Sequence, residues 1–591
     1  MTTALLNLGR RFLGLSWLTG PIFDKELRVS SRRRRNYVLR FAYLSLLTGF
    51  LAVFWVGTVP RSSSNLNQIS RMAEMGKGII AFVIWFQFIA TQIVALMMLS
   101  TSVSDEIYNR TLGLLMTTPI NSFQIVIGKL FSKLLQIVLL MGISLPLLAI
   151  VRVFGGVPWM YVISSLCMTL TAVVFVGSLS LLFSVFSRRA YVVIIVTALT
   201  LAVLFLLLPY LSAFLCNAVI GRWPGPRLTA IIFYPNPYGM MAFNTIMMLE
   251  PRATAATPAM FWPGHCGIML AASVVVLFVC VCVVRRVALR QAVGQTGASF
   301  SGKRRKSAAL AGSEHLATPR RVTGPAVLWK ELRTPVLGRH KIAMVAAIFA
   351  GLILLFITYA LCASENMLDD GDTHIVYVII FAGLGMLFTI ILPATCITTE
   401  KESQAWPLLL ATTLSDWQIL IGKFAGFLRR CLPIWFLLFG HIIIFTLSGV
   451  IHPVAIVQMA ILVAWIVVFL FGTGVYFSAR VRHTTTAVIA NFALAGAIWA
   501  LAPILLGLIA VGIGRAGGDI FEAYIAVNPM VHAGVVMDGT TGTLGSYSWP
   551  SFSSLNAAQS TVWMLACMLG YMLLGVLFAW RAKCHFRRNI F

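Results

Sequence analysis

The sequence predicts an all-α polytopic membrane protein with twelve transmembrane helices, arranged as two parallel repeats of six. Hydrophobic residues make up 59% of the 591-residue chain, and charged residues only 11%. Apolar runs recur along the chain, and each is about 20 residues long, enough to cross a hydrocarbon layer about 30 Å thick. A mean hydropathy of +0.90 excludes a soluble enzyme and a disordered chain. The runs are also too long for the short alternating strands of an outer-membrane barrel.

The apolar runs fall into two sets of six predicted spans. The first set lies near 36–59, 78–103, 123–151, 158–186, 190–220 and 264–285. The second set lies near 341–362, 374–398, 418–450, 453–479, 485–513 and 560–580. The Leu-rich stretch 4–18 contains Arg10 and Arg11 and lacks a small-x-small cleavage site, so we expect no cleavable signal.

The distribution of basic residues predicts the orientation. An even number of spans places both ends of the chain on one side, together with the cluster Arg32–Arg35 and the basic region 285–341. The 363–373 loop on the other side is acidic and has no basic residue. Because cytoplasmic loops are enriched in Lys and Arg, both termini are predicted to be cytoplasmic, in a bacterial inner membrane. The net charge of +27 then indicates contact with anionic lipid rather than with nucleic acid.

The two halves repeat the same motifs in the same order. Residues 124–129 read QIVIGK and residues 418–423 read QILIGK. These two motifs are 294 positions apart, and the same spacing pairs Glu106 with Glu400 without a gap. Further matches are Phe183-Ser184 with Phe477-Ser478, KELR at 25–28 with KELR at 330–333, and Asn236-Pro237 with Asn528-Pro529. Chance does not account for so many matches at nearly constant spacing.

An even number of spans in each copy means that both copies enter the membrane from the same side. The repeats are therefore predicted to be parallel, related by an axis along the membrane normal. The stretch between them is rich in Gly, Ser, Ala, Lys and Arg, a composition typical of a flexible linker. We divide the chain into a first six-span repeat at 1–285, a basic cytoplasmic linker at 286–323 and a second six-span repeat at 324–591.

Each repeat begins with an amphipathic segment ahead of its first span. In the first repeat the pattern PIFDKELR places apolar residues at 22, 23 and 27 beside charged residues at 24–26. This pattern predicts a helix lying in the membrane interface, with an ordinary charged flank as the alternative. The polar residues of the two segments are Lys25, Glu26 and Arg28, and Lys330, Glu331 and Arg333.

The segments between the second and third spans, 105–129 and 399–423, combine three features. Each has a carboxylate near a helix start, then an apolar patch, then a Thr-rich break. The patches are Leu112, Leu114, Leu115 and Met116, and Trp406, Leu408, Leu409 and Leu410. Exposed apolar residues on a short cytoplasmic helix mark a partner surface. The alternative is that the patch packs on the protein's own helices or on the lipid boundary.

These residues resemble a known family. The run E-x4-TL-x-LL-x-T-x-P ending in I-x-x-GK, behind an amphipathic helix and ahead of a late Asn-Pro motif, looks like the membrane subunit of export-type ABC transporters, the ABC-2 permease class. The resemblance implies that the amphipathic segments are elbow helices. It implies coupling helices near 106–118 and 400–412, which dock in the ATPase subunits. It also implies short re-entrant helices at the outer face, near 222–250 and 518–538.

The resemblance assigns roles to particular residues. The coupling helices would include Glu106, Thr111, Leu112, Leu115 and Thr118, and Glu400, Trp406, Leu409 and Thr412. The re-entrant motifs would be Asn236 with Pro237 and Asn528 with Pro529. The second copy departs from the pattern, because Trp406-Pro407 replaces Leu112-Gly113, so the two docking sites are expected to be unequal. One fused chain would need two ATPase subunits, identical or different, and the presence of accessory subunits stays open.

The chain is not expected to be an enzyme. The nearest approach to a phosphate-binding loop, at 297–303, has Arg304 in place of the required hydroxyl and follows no apolar strand. The pairs Gly128-Lys129 and Gly422-Lys423 are interpreted as close packing beside an interfacial lysine. We expect no cofactor in this chain, with ATP and Mg²⁺ on the partner subunits. The ten cysteines form no CxxC pair, so no metal site is expected.

The function predicted is a permease subunit that exports a hydrophobic or amphiphilic substrate. The alternative is an ATP-independent twelve-span secondary transporter or facilitator. The predicted spans contain no Asp or Glu, which argues against proton coupling but not against a facilitator. Gln87, Gln92 and Asn491 are candidates for lining a pathway, with hydrogen bonding between helices as the alternative role.

Overall fold

The computed structural model describes most of the chain. The described ranges are 65–108, 120–155, 157–187, 190–220, 225–250, 261–292, 324–333, 341–364, 366–513, 515–542, 545–552 and 554–587, with shorter stretches between 21 and 52. The chain forms two compact units, Met1–Leu316 and Ala317–Phe591. Within the described ranges both units are helical, and the second also has two isolated β-bridges, Ile451 with Thr541 and Tyr547 with Leu555.

The first unit contains nine described helices in the residues from 65 onward. They are α1 Asn65–Ser100, α2 Ser104–Tyr108, α3 Ser122–Gly155, α4 Trp159–Phe186, α5 Ala190–Ala202, α6 Leu208–Ile220, α7 Pro226–Phe233, α8 Pro237–Leu249 and α9 Trp262–Ala292. A π-helical turn, Val203–Leu207, joins α5 to α6. The core lies between α1, α3, α4 and α9, where Leu99, Val126, Val173 and Cys280 are fully buried.

The second unit has the same order of helices. They are α10 Ala326–Arg333, α11 Lys341–Ser364, α12 Gly371–Thr395, α13 Thr398–Glu402, α14 Trp406–Leu410, α15 Asp416–Leu447, α16 Val454–Arg480, α17 Thr484–Gly496, α18 Ala502–Ile513, α19 Arg515–Ile525, α20 Pro529–Thr540 and α21 Ala557–His585. A second π-helical turn, Ala497–Leu501, joins α17 to α18. The paired π turns fall at equivalent places in the two units.

Ten helices of the described residues are long and apolar enough to cross a membrane. They coincide with ten of the predicted spans, all except 36–59 and 341–362. The 36–59 span lies mostly outside the described residues, and 341–362 is covered by α11. The pair α19 and α20, bent by 80°, would add an eleventh span if it crosses. The protein is therefore an all-helical, multi-pass membrane protein, and the number twelve stays a prediction.

The Asn-Pro motifs join the π turns to the helices that follow them. Asn236 caps α8 by accepting the amide N–H of Tyr238, and its Nδ2 donates to the carbonyl of Phe205 in the first π turn at 2.7 Å. Asn528 caps α20, and its Nδ2 donates to Trp499 at the same distance. A π turn shifts the ladder of backbone hydrogen bonds, and these side chains satisfy carbonyls at the shift. The proline after each asparagine suits the first turn of a helix, where no N–H is needed.

Helices α16 and α21 make a backbone-to-backbone crossing in the second unit. A Cβ built on Gly472 would lie 2.0 Å from the carbonyl oxygen of Gly575. Only glycine permits so close an approach of the two backbones. In a membrane, where the hydrophobic effect does not drive helices together, such close packing favours their association. The crossing fixes the position of α21, and the end of this helix contacts the candidate site described below.

We expect Gly472→Ala to destabilise the second unit by about 1–3 kcal/mol, because α16 and α21 must separate to admit the methyl group. Gly570→Ala on α21 is the matched control, since a Cβ there meets nothing within 4 Å. Thermal unfolding of the purified full chain in detergent measures both. Equal unfolding temperatures for the two variants would contradict the close crossing.

Candidate functional site

The connection between α12 and α15, residues 396–415, holds the candidate site of the second unit. Gln404 adopts a left-handed conformation, with φ of 57°, and so separates α13 from α14. Pro407 lies in the first turn of α14. Ser415 and Gln418 form a capping box at the start of α15, in which each side chain accepts the backbone N–H of the other residue. Local sequence therefore sets both ends of the connection.

A buried serine links the start of each connection to the helix of the fourth predicted span of its unit, which is α4 or α16. In the second unit the amide groups of Ile397 and Thr398 both donate to Ser478 Oγ, each at 3.0 Å. In the first unit the amide groups of Val103 and Ser104 donate to Ser184 Oγ at 3.1 and 2.9 Å. One serine hydroxyl thus accepts hydrogen bonds from the two backbone N–H groups that lack a helical partner where the helix breaks. The Phe-Ser match between the repeats marks this joint.

The central feature of the site is a network of buried charges. Lys423 Nζ lies 2.6 Å from Glu400 Oε1 and 2.8 Å from Glu331 Oε1. Arg430 reaches the second oxygen of Glu331 at 3.0 Å. The side chain of Lys423 is 5% exposed and that of Glu331 is 9% exposed. The network therefore joins the amphipathic helix α10, the connection and the start of α15.

The first unit has the matching contacts. Lys129 lies 2.7 Å from Glu106 and also donates to the carbonyl of Ser102. Lys133 lies 3.2 Å from Glu26. In both units the lysine of the GK pair binds the carboxylate of the connection. The carboxylate of the amphipathic segment binds a cation further along the same helix, which is α3 or α15. The GK lysines, which were predicted to be interfacial, are buried ion-pair partners.

The charges around Glu331 decide its ionisation. Burial by itself raises the pKa of this carboxyl. The ammonium group of Lys423, which also donates a hydrogen bond, and the charges of Arg430 and Lys330 outweigh burial, so the pKa lies below its usual range. Glu331 is therefore ionised at neutral pH and needs its cations to remain paired.

The glycines of this region explain how α10 approaches α15. A Cβ on Gly422 would lie 2.7 Å from Val327 Cγ1, and one on Gly426 would lie 2.7 Å from Glu331 Cβ. Two glycines four residues apart lie on one face of a helix and form a groove for its neighbour. The interpretation of the GK glycine as a close-packing residue is confirmed in this unit.

The apolar patch of the second connection is only partly exposed. Leu408 is 73% exposed, and Thr412 and Thr413 beside it are exposed as well. Trp406 is fully buried. The expectation that Trp406 forms part of an exposed patch is therefore wrong, because its ring packs edge-on against Phe586 with centroids 5.3 Å apart. Leu409 is half-buried, and its carbonyl accepts the hydroxyl of Thr412 where α14 ends.

The end of α21 holds both sides of this exposed turn. Besides the contact of Phe586 with Trp406, the Lys583 ammonium lies 4.8 Å from the ring centroid of Trp417. Arg587 lies 3.3 Å from Asp416. Lys583, Phe586 and Arg587 are spaced three and four residues apart, so they share one face of the helix end. We call this set of three residues the C-terminal clamp.

The other predicted residues of the connections and amphipathic segments lie as follows. Thr111, Leu112, Leu115 and Thr118 fall outside the described residues. Lys25 and Arg28 are exposed. Lys330 is 55% exposed and contacts Glu400 at 3.0 Å, while the Arg333 guanidinium lies 4.5 Å from the Trp329 ring centroid.

The three pathway candidates are buried and hydrogen-bonded to other helices. Gln87 accepts from Ser144 at 2.8 Å, and Gln92 accepts from Tyr238 at 2.9 Å. Asn491 donates to the carbonyl of Ile390 at 2.7 Å. These are the contacts expected of the alternative role, hydrogen bonding between helices.

Sequence reasoning passed over two buried histidines, His374 and His441, whose rings contact each other in the second unit. Their positions correspond to Ile80 and Leu147 in the first repeat, so the comparison of repeats gave no signal for them. Among the described residues, no three of the His, Cys, Asp and Glu side chains group so that they could hold a metal ion.

These features define a multi-pass membrane protein with two similar helical units. Each unit has buried ion pairs beside the connection between its second and third predicted spans. Residues 21–289 match a family model described as "ABC-2 family transporter protein". The first unit is therefore similar to this family, and the same motifs recur in the second unit. Members are the permease subunits of ABC transporters and pair with ABC ATPase subunits. No curated protein matches this chain.

We expect Glu331→Gln to destabilise the second unit by about 3 kcal/mol, because Lys423 and Arg430 lose a buried partner. Since the pKa of Glu331 is lowered on folding, its contribution is present above the usual carboxyl range and is lost as pH falls through the lowered pKa. Thermal unfolding at pH 7 and at pH 3 measures this, and the difference between wild type and variant should shrink at pH 3.

Lys330→Gln is the control for Glu331→Gln, because Lys330 belongs to the same network but is largely exposed. Its removal should change stability by at most about 1 kcal/mol. Equal losses from both substitutions would show that burial does not govern this network.

Proposed function

We propose that this chain supplies both halves of the membrane domain of an ABC exporter and that two ATPase subunits drive it by docking on the connections between the second and third spans. The observation that carries the proposal is the buried charge network, which links the second connection to α10 and α15 and has a counterpart in the first unit. A connection that only joined two spans would need no such network.

The docking surface proposed in the second unit is the exposed turn around Leu408. Leu408 stands out from α14, while Trp406 before it and Asp416 after it are held by the C-terminal clamp. An apolar side chain presented on a turn fixed at both ends suits a groove on a partner protein. The partner favoured is an ABC ATPase, since the family pairs with such subunits.

The network gives the docked turn a route to the membrane helices. Glu400 belongs to α13, just before the turn, and binds Lys423 on α15, which binds Glu331 on α10. Breaking a buried ion pair costs about 3–5 kcal/mol. A displacement of the turn is therefore transmitted more easily by moving these helices together than by separating the pairs.

The transport cycle follows from this connection. ATP binding closes the two ATPases, which displace the docked connections, and the membrane domain changes from an inward-open to an outward-open state. We propose a hydrophobic or amphiphilic cargo, because Gln87, Gln92 and Asn491 are engaged in hydrogen bonds between helices. Hydrolysis and product release then reset the inward-open state.

The two docking sites are proposed to be unequal. The residues that the C-terminal clamp holds are Trp406, Asp416 and Trp417, and the corresponding positions of the first repeat are Leu112, Ser122 and Phe123. Neither the carboxylate nor the tryptophans of the clamp contacts are present there. The second site would be the more rigid of the two and would favour one ATPase where the subunits differ.

The test is Leu408→Asp in the full chain, expressed with the ABC ATPase that co-purifies with the wild type. The loss of one buried leucine from the interface, about 2 kcal/mol, should weaken ATPase binding at this site by at least tenfold. We expect about half as much ATPase per membrane domain. Trp406→Asp is unsuitable, because it would bury a carboxylate and disturb the fold.

Met367→Asp is the control for Leu408→Asp. Met367 is also an exposed apolar residue, and it lies at the other end of α12, where no cytoplasmic subunit reaches in the predicted topology. An unchanged ATPase content in Leu408→Asp would exclude docking on α14. Vesicles that contain this chain alone and move solute uphill along an ion gradient would support the alternative of a secondary transporter.

A further inference from the structure

We propose that His374 and His441 form a proton-binding site that holds three helices of the second unit together when both rings are neutral and releases them when protons bind. His374 lies at the start of α12, and His441 lies near the end of α15. Tyr359 of α11 completes the site. All three lie at the ends of their helices remote from the 396–415 connection. The inference is independent of ATPase docking.

Three hydrogen bonds connect the residues of the site in series. His374 Nε2 contacts the carbonyl of Leu368 at 2.8 Å, and His374 Nδ1 contacts His441 Nε2 at 3.3 Å. His441 Nδ1 contacts the hydroxyl of Tyr359 at 2.7 Å. Both imidazole rings are buried, with at most 2% of either residue exposed.

This series of hydrogen bonds permits only one arrangement of hydrogens on the two neutral rings. A carbonyl only accepts, so His374 Nε2 carries the hydrogen and its Nδ1 is an acceptor. His441 Nε2 must then donate to that acceptor, which leaves His441 Nδ1 to accept from Tyr359. Every nitrogen of the two rings has a partner of the right kind. The closed arrangement therefore stabilises both rings in the neutral state.

A proton on either ring disturbs this arrangement. On His374 it would place two N–H groups against each other at the contact with His441, or force His441 into its other tautomer. On His441 it would require the Tyr359 hydroxyl to turn from donor to acceptor and would leave a cation among aromatic rings, which include Tyr377, Phe381 and Phe445. Burial of a charge without a counter-ion is unfavourable. Protonation is therefore linked to separation of α11, α12 and α15.

The groups around the site allow protons to arrive from one side. Asp369 and Asp370 precede α12, beside Leu368, and Asp372 lies in its first turn. On the opposite side Cys362 of α11 lies 3.7 Å from the hydroxyl of Tyr377. Helix α20, which also packs on α12, carries the exposed Asp538. The acidic cluster lies at the aqueous end of the spans, so protons from water reach the site from this side once the helices part.

Linkage gives the size of the effect. A histidine in water has a pKa near 6.5, so each ring that must be neutral in the closed state shifts the equilibrium toward the open state about tenfold per pH unit below that value. Two such rings give up to about a hundredfold per unit. In the predicted topology this end faces outward, so acid outside would favour the open form. The repeat comparison places the site in the second unit alone.

His441→Gln separates the proton-binding role from packing. The glutamine oxygen can accept from Tyr359 and its amide can donate to His374, but the side chain does not titrate. The measurement is modification of Cys362 by a maleimide, followed by mass spectrometry, on the full chain in lipid nanodiscs from pH 7.5 to 5.5. The ratio of wild-type to variant rates removes the intrinsic pH dependence of the thiol.

We expect this ratio to rise at least tenfold as pH falls to 5.5. Tyr359→Phe should raise the rate at every pH while keeping the slope, because it removes one hydrogen bond and leaves both titrating rings. A ratio that stays within twofold over the range would overturn the proposal. If His441→Gln does not fold, His374→Gln serves instead, since its amide group can accept from His441 and donate to Leu368.

Discussion

The pairing of buried charge constrains this structure more than any other interaction. Lys423 lies where water is excluded, and its charge is tolerable only because two carboxylates from different segments reach it. That requirement fixes α10 against the groove of Gly422 and Gly426 and fixes α13 against the start of α15. The position of the exposed turn around Leu408 follows from these contacts. The first unit satisfies the same constraint with Lys129 and Glu106.

Much of the fold follows from the sequence, because the physical signals are strong. Long apolar runs predict helices in a membrane with little ambiguity, and ten spans lie close to their predicted places. The repeat motifs located the joints, including Glu106 and Glu400 and the Asn-Pro caps. Duplicated residues are informative because the same local geometry must be built twice.

The site was less predictable where contacts join distant segments. The burial of Trp406 depends on Phe586, which is far away in the sequence, so a local apolar pattern could not distinguish an exposed ring from a packed one. The histidine pair arises from separate helices and has no counterpart in the first repeat. Charge pairing was similarly hidden, since KELR and GK each look like ordinary membrane flanks until Glu331 and Lys423 meet.

The π turns at Val203–Leu207 and Ala497–Leu501 change how the fifth span of each unit should be viewed. A π turn inserts one residue into the α-helical ladder, and one residue corresponds to about 100° of rotation. The side-chain stripes before and after the turn are therefore out of phase. A single helical wheel drawn through α17 and α18 would mix lipid-facing and protein-facing positions, so each segment needs its own projection.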